Sequence, residues 1–175
     1  MSAKQGDNRN KITPKRLSLW GMLCCLCLIF SFLEAQIPLD FIAPGIKLGL
    51  SNSVALILVM TGDIKGAFAV NIARIFLSAL LFSSPFSLVF SLSGGMCSLV
   101  VSAVCSRSRH LSGVGISMLS AFAHNIAQTA AAFLVLGISV LYYLPLLLLS
   151  AAISGGVIGI ICNIIFEKMK TTKEI

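Results

Sequence analysis

The side chains most able to do chemistry in this sequence are ionisable or amide groups in the middle of apolar stretches. Arg74 and His124 each lie near the centre of a stretch long enough to cross a bilayer. Asn71 precedes Arg74 by one helical turn, and Asn125 and Gln128 follow His124 in the run HNIAQ. Ionisable residues inside a membrane are costly and mark functional sites by default. These five residues therefore predict a polar pocket inside a membrane protein.

Arg74 and His124 suggest ligand binding, each with a structural alternative. Burying Arg74 near the bilayer centre costs ~2.5–3.5 kcal/mol on insertion scales, so we expect it to meet either an anionic group of a ligand or an acid such as Glu34. His124 and Gln128 are four residues apart and share a helix face, which predicts ligand contact, with a helix–helix hydrogen bond as the alternative. No Cys, Asp or second His is spaced to bind a metal with His124, so we predict no metal site.

A third group of candidates lies in the segment APGIKLGLSN. Gly49 permits close backbone approach, Lys47 offers a positive charge at the membrane rim, and Asn52 follows one turn later. The charge of Lys47 can take part in a site or can simply snorkel to the interface. Small residues such as Gly155 and Gly159, four apart, predict close helix packing.

The composition places the chain in a membrane. Of its 175 residues, 57% are hydrophobic and 11% are charged, and the mean hydropathy is +0.98. A soluble domain of this size could not bury so much apolar surface. The net charge of +7 comes from short basic segments that are not interleaved with aromatic residues, so we predict no nucleic-acid partner. The six cysteines lie in or beside apolar helices without metal-ligand spacing, which predicts packing roles.

Apolar runs divide the chain into an all-α bundle of six transmembrane helices between two basic tails. The predicted domain covers residues 17–166, with a tail of residues 1–16 before it and a tail of residues 167–175 after it. A run of about 20 residues crosses a bilayer, and segment 48–61 falls short of that length. The first run is long enough for a retained helix rather than a cleaved signal. The predicted spans are residues 17–33, 48–61, 66–82, 86–105, 111–136 and 141–166.

The distribution of basic residues predicts the orientation. Lys and Arg collect in short cytoplasmic loops, and six spans with both termini inside place eleven of the thirteen on that side. Lys47 then lies outside and Arg74 lies within the membrane. Removing the short span would move one terminal basic cluster outside. We therefore predict a multi-pass cell-membrane protein with both termini in the cytoplasm, whose outer connection IPLDFIAPG caps the bundle.

Several motifs resemble a known family. The segments IPLDFIAPGIKLGLSN, AHNIAQ and LYYLP, with the Arg-containing third span, resemble the bacterial membrane family called Gx transporter or heptaprenyl diphosphate synthase component I, over about residues 17–166. That family is similar to the substrate-binding S components of energy-coupling factor (ECF) transporters. Those are six-helix proteins that capture a small molecule from outside and pair with a coupling protein and two ATPases. The resemblance implies ligand-binding roles for Lys47, Gly49, Asn52, Asn71, Arg74, His124, Asn125 and Gln128.

Two functions follow from the residues and the resemblance. The leading prediction is the substrate-binding membrane subunit of an ECF-like uptake transporter, with a small anionic or polar solute, a coupling protein and ABC ATPases as partners. The alternative is a membrane accessory subunit, component I, of a heptaprenyl or polyprenyl diphosphate synthase.

Two further observations bear on that choice. Prenyl elongation needs clustered aspartates to hold magnesium, and no two of the six acids are adjacent. We therefore predict that the chain is not an enzyme and needs no cofactor. S components often dock their coupling protein through small residues four apart on the first helix, where this chain has Gly21 and Cys25.

Overall fold

Six α-helices make up the structure, a computed structural model that describes residues 13–37, 49–82, 85–108 and 110–173. A short 3₁₀ helix, Ile138–Tyr143, precedes the last α-helix, and the described residues contain no strand. The prediction of an all-helical, six-helix protein is confirmed. The helices are α1 (Pro14–Gln36), α2 (Leu50–Met60), α3 (Ile64–Phe82), α4 (Pro85–Cys105), α5 (Gly113–Leu136) and α6 (Leu144–Lys173).

The helix ends follow from local sequence. Thr13 caps α1 by accepting a hydrogen bond from the Arg16 backbone N–H, and Pro14 occupies the first turn, where its missing N–H costs nothing. Ser112 caps α5 in the same way. Gly62 and Gly137, with φ of 83° and 82°, adopt the left-handed half of backbone space where the chain turns after α2 and after α5.

Five of the six helices, all except α2, are long and apolar enough to cross a membrane. Their outer faces carry large apolar side chains, among them Leu80, Leu134 and Ile153, which are more than half exposed. Such a surface is stable in lipid and not in water. The chain is therefore of the multi-pass membrane type.

The short helix α2 lies at the centre of the bundle. It packs against α1, α3, α4 and α6, and most of its residues are buried. Val54 and Val59 belong to one buried cluster with Trp20, while Leu56 belongs to a second with Ile158. The predicted span 48–61 thus contains a helix, α2. Its 11 residues cover only ~17 Å of a ~30 Å hydrocarbon layer.

Polar contacts at its two ends show that α2 reverses the direction of the chain. Where α1 begins, the Asp63 carboxylate beyond α2 accepts hydrogen bonds from Arg16 Nη2 (2.9 Å) and Trp20 Nε1 (2.8 Å). Near the far end of α1, Glu34 Oε1 accepts a hydrogen bond from the first α2 residue, Leu50 N–H (2.6 Å). The chain therefore returns across the bundle before α3 starts.

With six helices alternating in direction, α1 begins and α6 ends at the same end of the bundle, called the terminal end below. Gly113 at the start of α5 lies there, against Met60 and Asn163. Helix α6 continues to Lys173, so most of the predicted C-terminal tail is helical. Lys and Arg residues at the terminal end include Lys15, Arg16, Lys65, Arg107 and Lys168.

Small residues allow α5 and α6 to touch, as their spacing predicts. A Cβ atom at Gly155 would lie 3.0 Å from the Ala121 Cβ, and one at Gly159 would lie 2.7 Å from the Val114 Cα. Both distances are too short for larger side chains. These two glycines therefore lie in the contact between α5 and α6.

Candidate functional site

The guanidinium of Arg74 is the centre of a buried polar network. Arg74 lies midway along α3, and only 8% of it is exposed. Nη1 donates a hydrogen bond to Ser51 Oγ at 2.6 Å, and Nη2 donates to Asn52 Oδ1 at 3.1 Å and to Asn71 Oδ1 at 3.0 Å. One other helix, α2, and the preceding turn of α3 itself therefore fix the position of this cation.

Arg74 keeps unused binding capacity. A guanidinium has five N–H donors, and Nε is buried without a hydrogen-bond partner. A buried unsatisfied donor costs about 1–3 kcal/mol, and more when charged. Ser51 links Arg74 to the expected structural partner Glu34, because its Oγ accepts from Arg74 and donates to Glu34 Oε2 at 3.3 Å.

Asn71 and Asn52 hold Arg74 with all of their amide groups engaged. While Asn71 Oδ1 accepts from Arg74, its Nδ2 donates to the Gly95 carbonyl on α4 at 3.0 Å. Asn52 Nδ2 points to His124 Nδ1 at 3.5 Å. Both amides therefore position the guanidinium, and Asn71 is 2% exposed.

His124 extends the network to α5. Its Nε2 lies 3.1 Å from Gln128 Oε1, one turn further along the helix. A neutral imidazole with its proton on Nε2 donates to Gln128 and accepts from Asn52, so this tautomer satisfies both contacts. Gly94 lies against His124, where a Cβ atom would come within 3.0 Å of the ring and of the His124 carbonyl oxygen, a very tight contact. The glycine pair of α4 thus lets three helices meet at one depth.

Asn125 connects α5 to α6. Its Nδ2 donates to the Leu147 carbonyl at 2.6 Å. A carbonyl can only accept, so this contact fixes the orientation of the amide and leaves Oδ1 as the remaining polar atom of the side chain.

A cavity of about 50 Å³ opens beside Arg74, with room for roughly three to five water molecules. Every α-helix contributes to its wall. Ala121 and Ala151 have short side chains, which leave space between α5 and α6. The lining residues are Glu34, Gly49, Ser51, Asn52, Arg74, Ser91, Ala121, His124, Asn125, Ala151 and Ser154.

A second, smaller cavity of about 10 Å³ adjoins Asn52 on the side of the terminal end. Its polar lining includes Asn71, Ser98, Ser102 and Ser120. The volume suits one water molecule. The polar interior therefore continues past Arg74 into the half of the bundle that holds the termini.

The structure brings together most of the predicted site residues. Gly49, Asn52, Arg74, His124 and Asn125 line the larger cavity. Asn71 and Gln128 do not line it and instead bind Arg74 and His124. The positions of Lys47 and of most of the predicted cap IPLDFIAPG lie outside the described residues.

Sequence analysis missed four polar residues of the cavity wall. Glu34 was considered only as a partner of Arg74, and Ser51, Ser91 and Ser154 were not singled out. Ser51 had one available signal, since it lies between Gly49 and Asn52 in the segment GLSN. The other serines resemble the many helical serines that bond to their own backbone.

The acids Glu34 and Asp63 lie at opposite ends of α2. Glu34 contacts the start of α2, whereas Asp63 follows the end of α2 and contacts Arg16. No group of three or more His, Cys, Asp or Glu side chains in the described part of the chain is arranged to hold a metal ion.

Comparison with known proteins identifies the family. The family model described as heptaprenyl diphosphate synthase component I matches residues 23–165, which include all six helices in whole or large part. The chain belongs to this family. The match confirms the resemblance read from the motifs. Searches of curated proteins and of solved structures gave no match.

Proposed function

We propose that this chain is a non-catalytic membrane component that binds a small anionic or polar ligand beside Arg74 and works with a prenyl diphosphate synthase. The family name supports the association with a synthase. The separation of Glu34 from Asp63 supports the non-catalytic role, because the partner must then supply the magnesium-binding acids.

The buried cation of Arg74, which lines the cavity, carries the ligand-binding part of the proposal. A buried cation on the wall of a cavity is stabilised when an anionic acceptor enters that cavity. Ser51, Asn52 and Asn71 hold the guanidinium in place before any ligand arrives. The arrangement is that of a preorganised binding group.

Co-purification tests the partner. A tagged chain is extracted gently from its native membranes, and the proteins bound to it are identified by mass spectrometry. We expect a prenyl diphosphate synthase subunit, whose activity rises when the chain is added back in lipid. Absence of any synthase, together with unchanged synthase activity, would overturn this part of the proposal.

Substituting Arg74 tests the role of the cavity separately from binding to the synthase. We expect Arg74→Gln to abolish the stimulation of the synthase while the protein still inserts and co-purifies. The matched control is Arg107→Gln, which removes an exposed cation after α4 and is expected to behave like wild type. Equal activity of both variants would exclude Arg74 from the function.

A second candidate is the substrate-binding subunit of an uptake transporter. The observation that favours it is the position of the cavity, which lies near Glu34 and Gly49, away from the terminal end. If the basic terminal end is cytoplasmic, as the positive-inside rule expects, the cavity belongs to the outer half of the bundle. There it can take up a solute from outside.

The same co-purification distinguishes the two candidates. A coupling protein with a pair of ABC ATPases would support the transporter and count against the synthase. The orientation in the cell membrane, with both termini in the cytoplasm, is part of both proposals and is checked by protease accessibility of tags at the two termini.

A further inference from the structure

We infer that the Glu34 carboxylate is a built-in competitor for the Arg74 cavity, which holds the start of α2 when no ligand is bound and is displaced by an anionic ligand. This inference rests on the proposed binding of an anion beside Arg74 and adds the step that controls it.

Glu34 is tied to the start of α2 by both of its carboxylate oxygens. Oε1 accepts a hydrogen bond from the Leu50 backbone N–H at 2.6 Å, and Oε2 accepts one from Ser51 Oγ at 3.3 Å. The N-cap residue of α2, Gly49, provides no side-chain cap of its own. Glu34 therefore supplies, from another helix, the anion that the first N–H groups and the positive end of the α2 dipole favour.

The same carboxylate is linked to Arg74. The Ser51 hydroxyl that donates to Glu34 accepts a hydrogen bond from Arg74 Nη1 at 2.6 Å. Backbone N–H groups at a helix start and guanidinium groups are the donors with which proteins bind carboxylates and phosphates. Glu34 thus occupies donors that an incoming anion would use.

Charge makes the two anions mutually exclusive. Glu34 and Arg74 are the charged side chains among the described residues of the cavity wall. The cavity measures about 50 Å³, so any group inside it lies within a few ångströms of both. A second anion beside the Glu34 carboxylate would be repelled strongly, because little water screens the two charges there. An anion that replaces Glu34 at the start of α2 balances Arg74 without this repulsion.

Displacement of Glu34 also changes the contact between two helices. Glu34 lies in the last turn of α1, and its hydrogen bonds to Leu50 and Ser51 tie that turn to the start of α2. When the ligand takes these donors, the tie is broken. Ligand binding therefore releases the end of α1 that lies away from the terminal end.

Two substitutions test the competition. Glu34→Gln keeps an oxygen acceptor for the Leu50 N–H and removes the charge. Asp63→Asn is the matched control, because the Asp63 carboxylate accepts a hydrogen bond from the Gly66 N–H at the start of α3, at the opposite end of α2.

The probes are acetate and nitrate, two small planar anions. Their affinity for the detergent-solubilised full chain is measured from the rise of the melting temperature with probe concentration at constant ionic strength. We expect Glu34→Gln to bind both probes at least about tenfold more tightly than wild type. Asp63→Asn should bind them like wild type, and Arg74→Gln should lose the response.

Carbodiimide labelling follows Glu34 in the wild-type chain and does not require a variant to fold. The reagent modifies accessible carboxyl groups, and mass spectrometry identifies the modified peptide. Nitrate is the probe here because it does not react with carbodiimides. We expect nitrate to raise the labelling of Glu34 several-fold, because the displaced carboxylate leaves its hydrogen-bond donors.

The outcomes separate this inference from the proposed function. If Glu34→Gln binds the probes no more tightly than wild type, or if Asp63→Asn gains as much, the competition is excluded and anion binding beside Arg74 stands. Labelling of Glu34 that nitrate leaves unchanged or lowers excludes the competition as well. No response to either probe in wild type and Glu34→Gln, both eluting as folded species, excludes the proposed binding together with the inference. A response that Arg74→Gln retains in full has the same consequence.

Discussion

Replacing Asn71 by Leu should reveal how strongly the bundle depends on holding Arg74. Leu has a similar size and no polar atom, and the site is 2% exposed. The change removes the acceptor for Arg74 Nη2 and the donor to the Gly95 carbonyl. That carbonyl still accepts from Ser98 Oγ at 3.0 Å, so the main penalty is one orphaned N–H of a charged group. We expect a loss of about 1.5–3 kcal/mol in the free energy of unfolding.

A double-mutant cycle isolates this term. In an Arg74→Met background no guanidinium is left to orphan, so Asn71→Leu should cost little, and the coupling energy should be about 1.5–3 kcal/mol. The assay is reversible denaturant unfolding in mixed micelles. Ser102→Ala, combined with Arg74→Met, is the control, because the buried Ser102 hydroxyl donates to Leu99 of its own helix. A coupling below about 0.5 kcal/mol for Asn71 would refute the network.

Three further predictions concern packing, anchoring and topology. Gly94→Ala places a Cβ 3.0 Å from His124 and should lower the free energy of unfolding by about 1–3 kcal/mol. The control Gly156→Ala should leave the free energy of unfolding unchanged. Equal effects of the two substitutions would show that the tight contact between Gly94 and His124 does not matter for stability. Asp63→Asn should cost about 1 kcal/mol or less, since the Arg16 pair is partly exposed, and Asp63→Ala about 0.5–2 kcal/mol more, because Asp63 also caps α3 through Gly66 N–H; unfolding titrations check both. In a chain without its native cysteines, Ile37→Cys and Thr61→Cys, which flank α2, should react with an impermeant maleimide from opposite sides of the membrane; labelling from one side would show that α2 does not reverse the chain.

Sequence patterns locate the ionisable core of the site but not its serines. Arg74 and His124 stand out because each interrupts a long apolar run. An ionisable side chain inside a membrane costs free energy, so its presence indicates a function or a partner. Serine does not stand out, because its hydroxyl can bond to the backbone of its own helix, as Ser53 and Ser98 do here. Ser51 differs only through helix rotation, which turns its hydroxyl between Arg74 and Glu34. Rotation is set by packing against neighbours, and an apolar span carries little information about it.

The sequence also identifies Asn71 and Gln128 as polar residues of the interior without showing what they bind. Each shares a helix face with an ionisable neighbour, three or four residues away. That spacing suits contact with the neighbour as well as contact with a ligand. In the structure, both amides form hydrogen bonds with that ionisable neighbour. The rest of the cavity wall comes from residues of α1, α4 and α6 that are distant in the chain. Such long-range placement depends on the tertiary fold.

The shortness of α2 explains why a cavity exists at all. From Ile64 to Arg74 helix α3 rises ~15 Å, and from Thr61 back to Ser51 helix α2 rises the same distance, so Ser51 meets the guanidinium at the depth where α2 begins. The five longer helices continue beyond that depth around a centre that α2 no longer fills. The positive end of the α2 dipole and the Arg74 charge then face the same space, which Glu34 partly balances. An α2 of full transmembrane length would occupy the cavity. The short length that the sequence predicts for this span is therefore what leaves room for the candidate site.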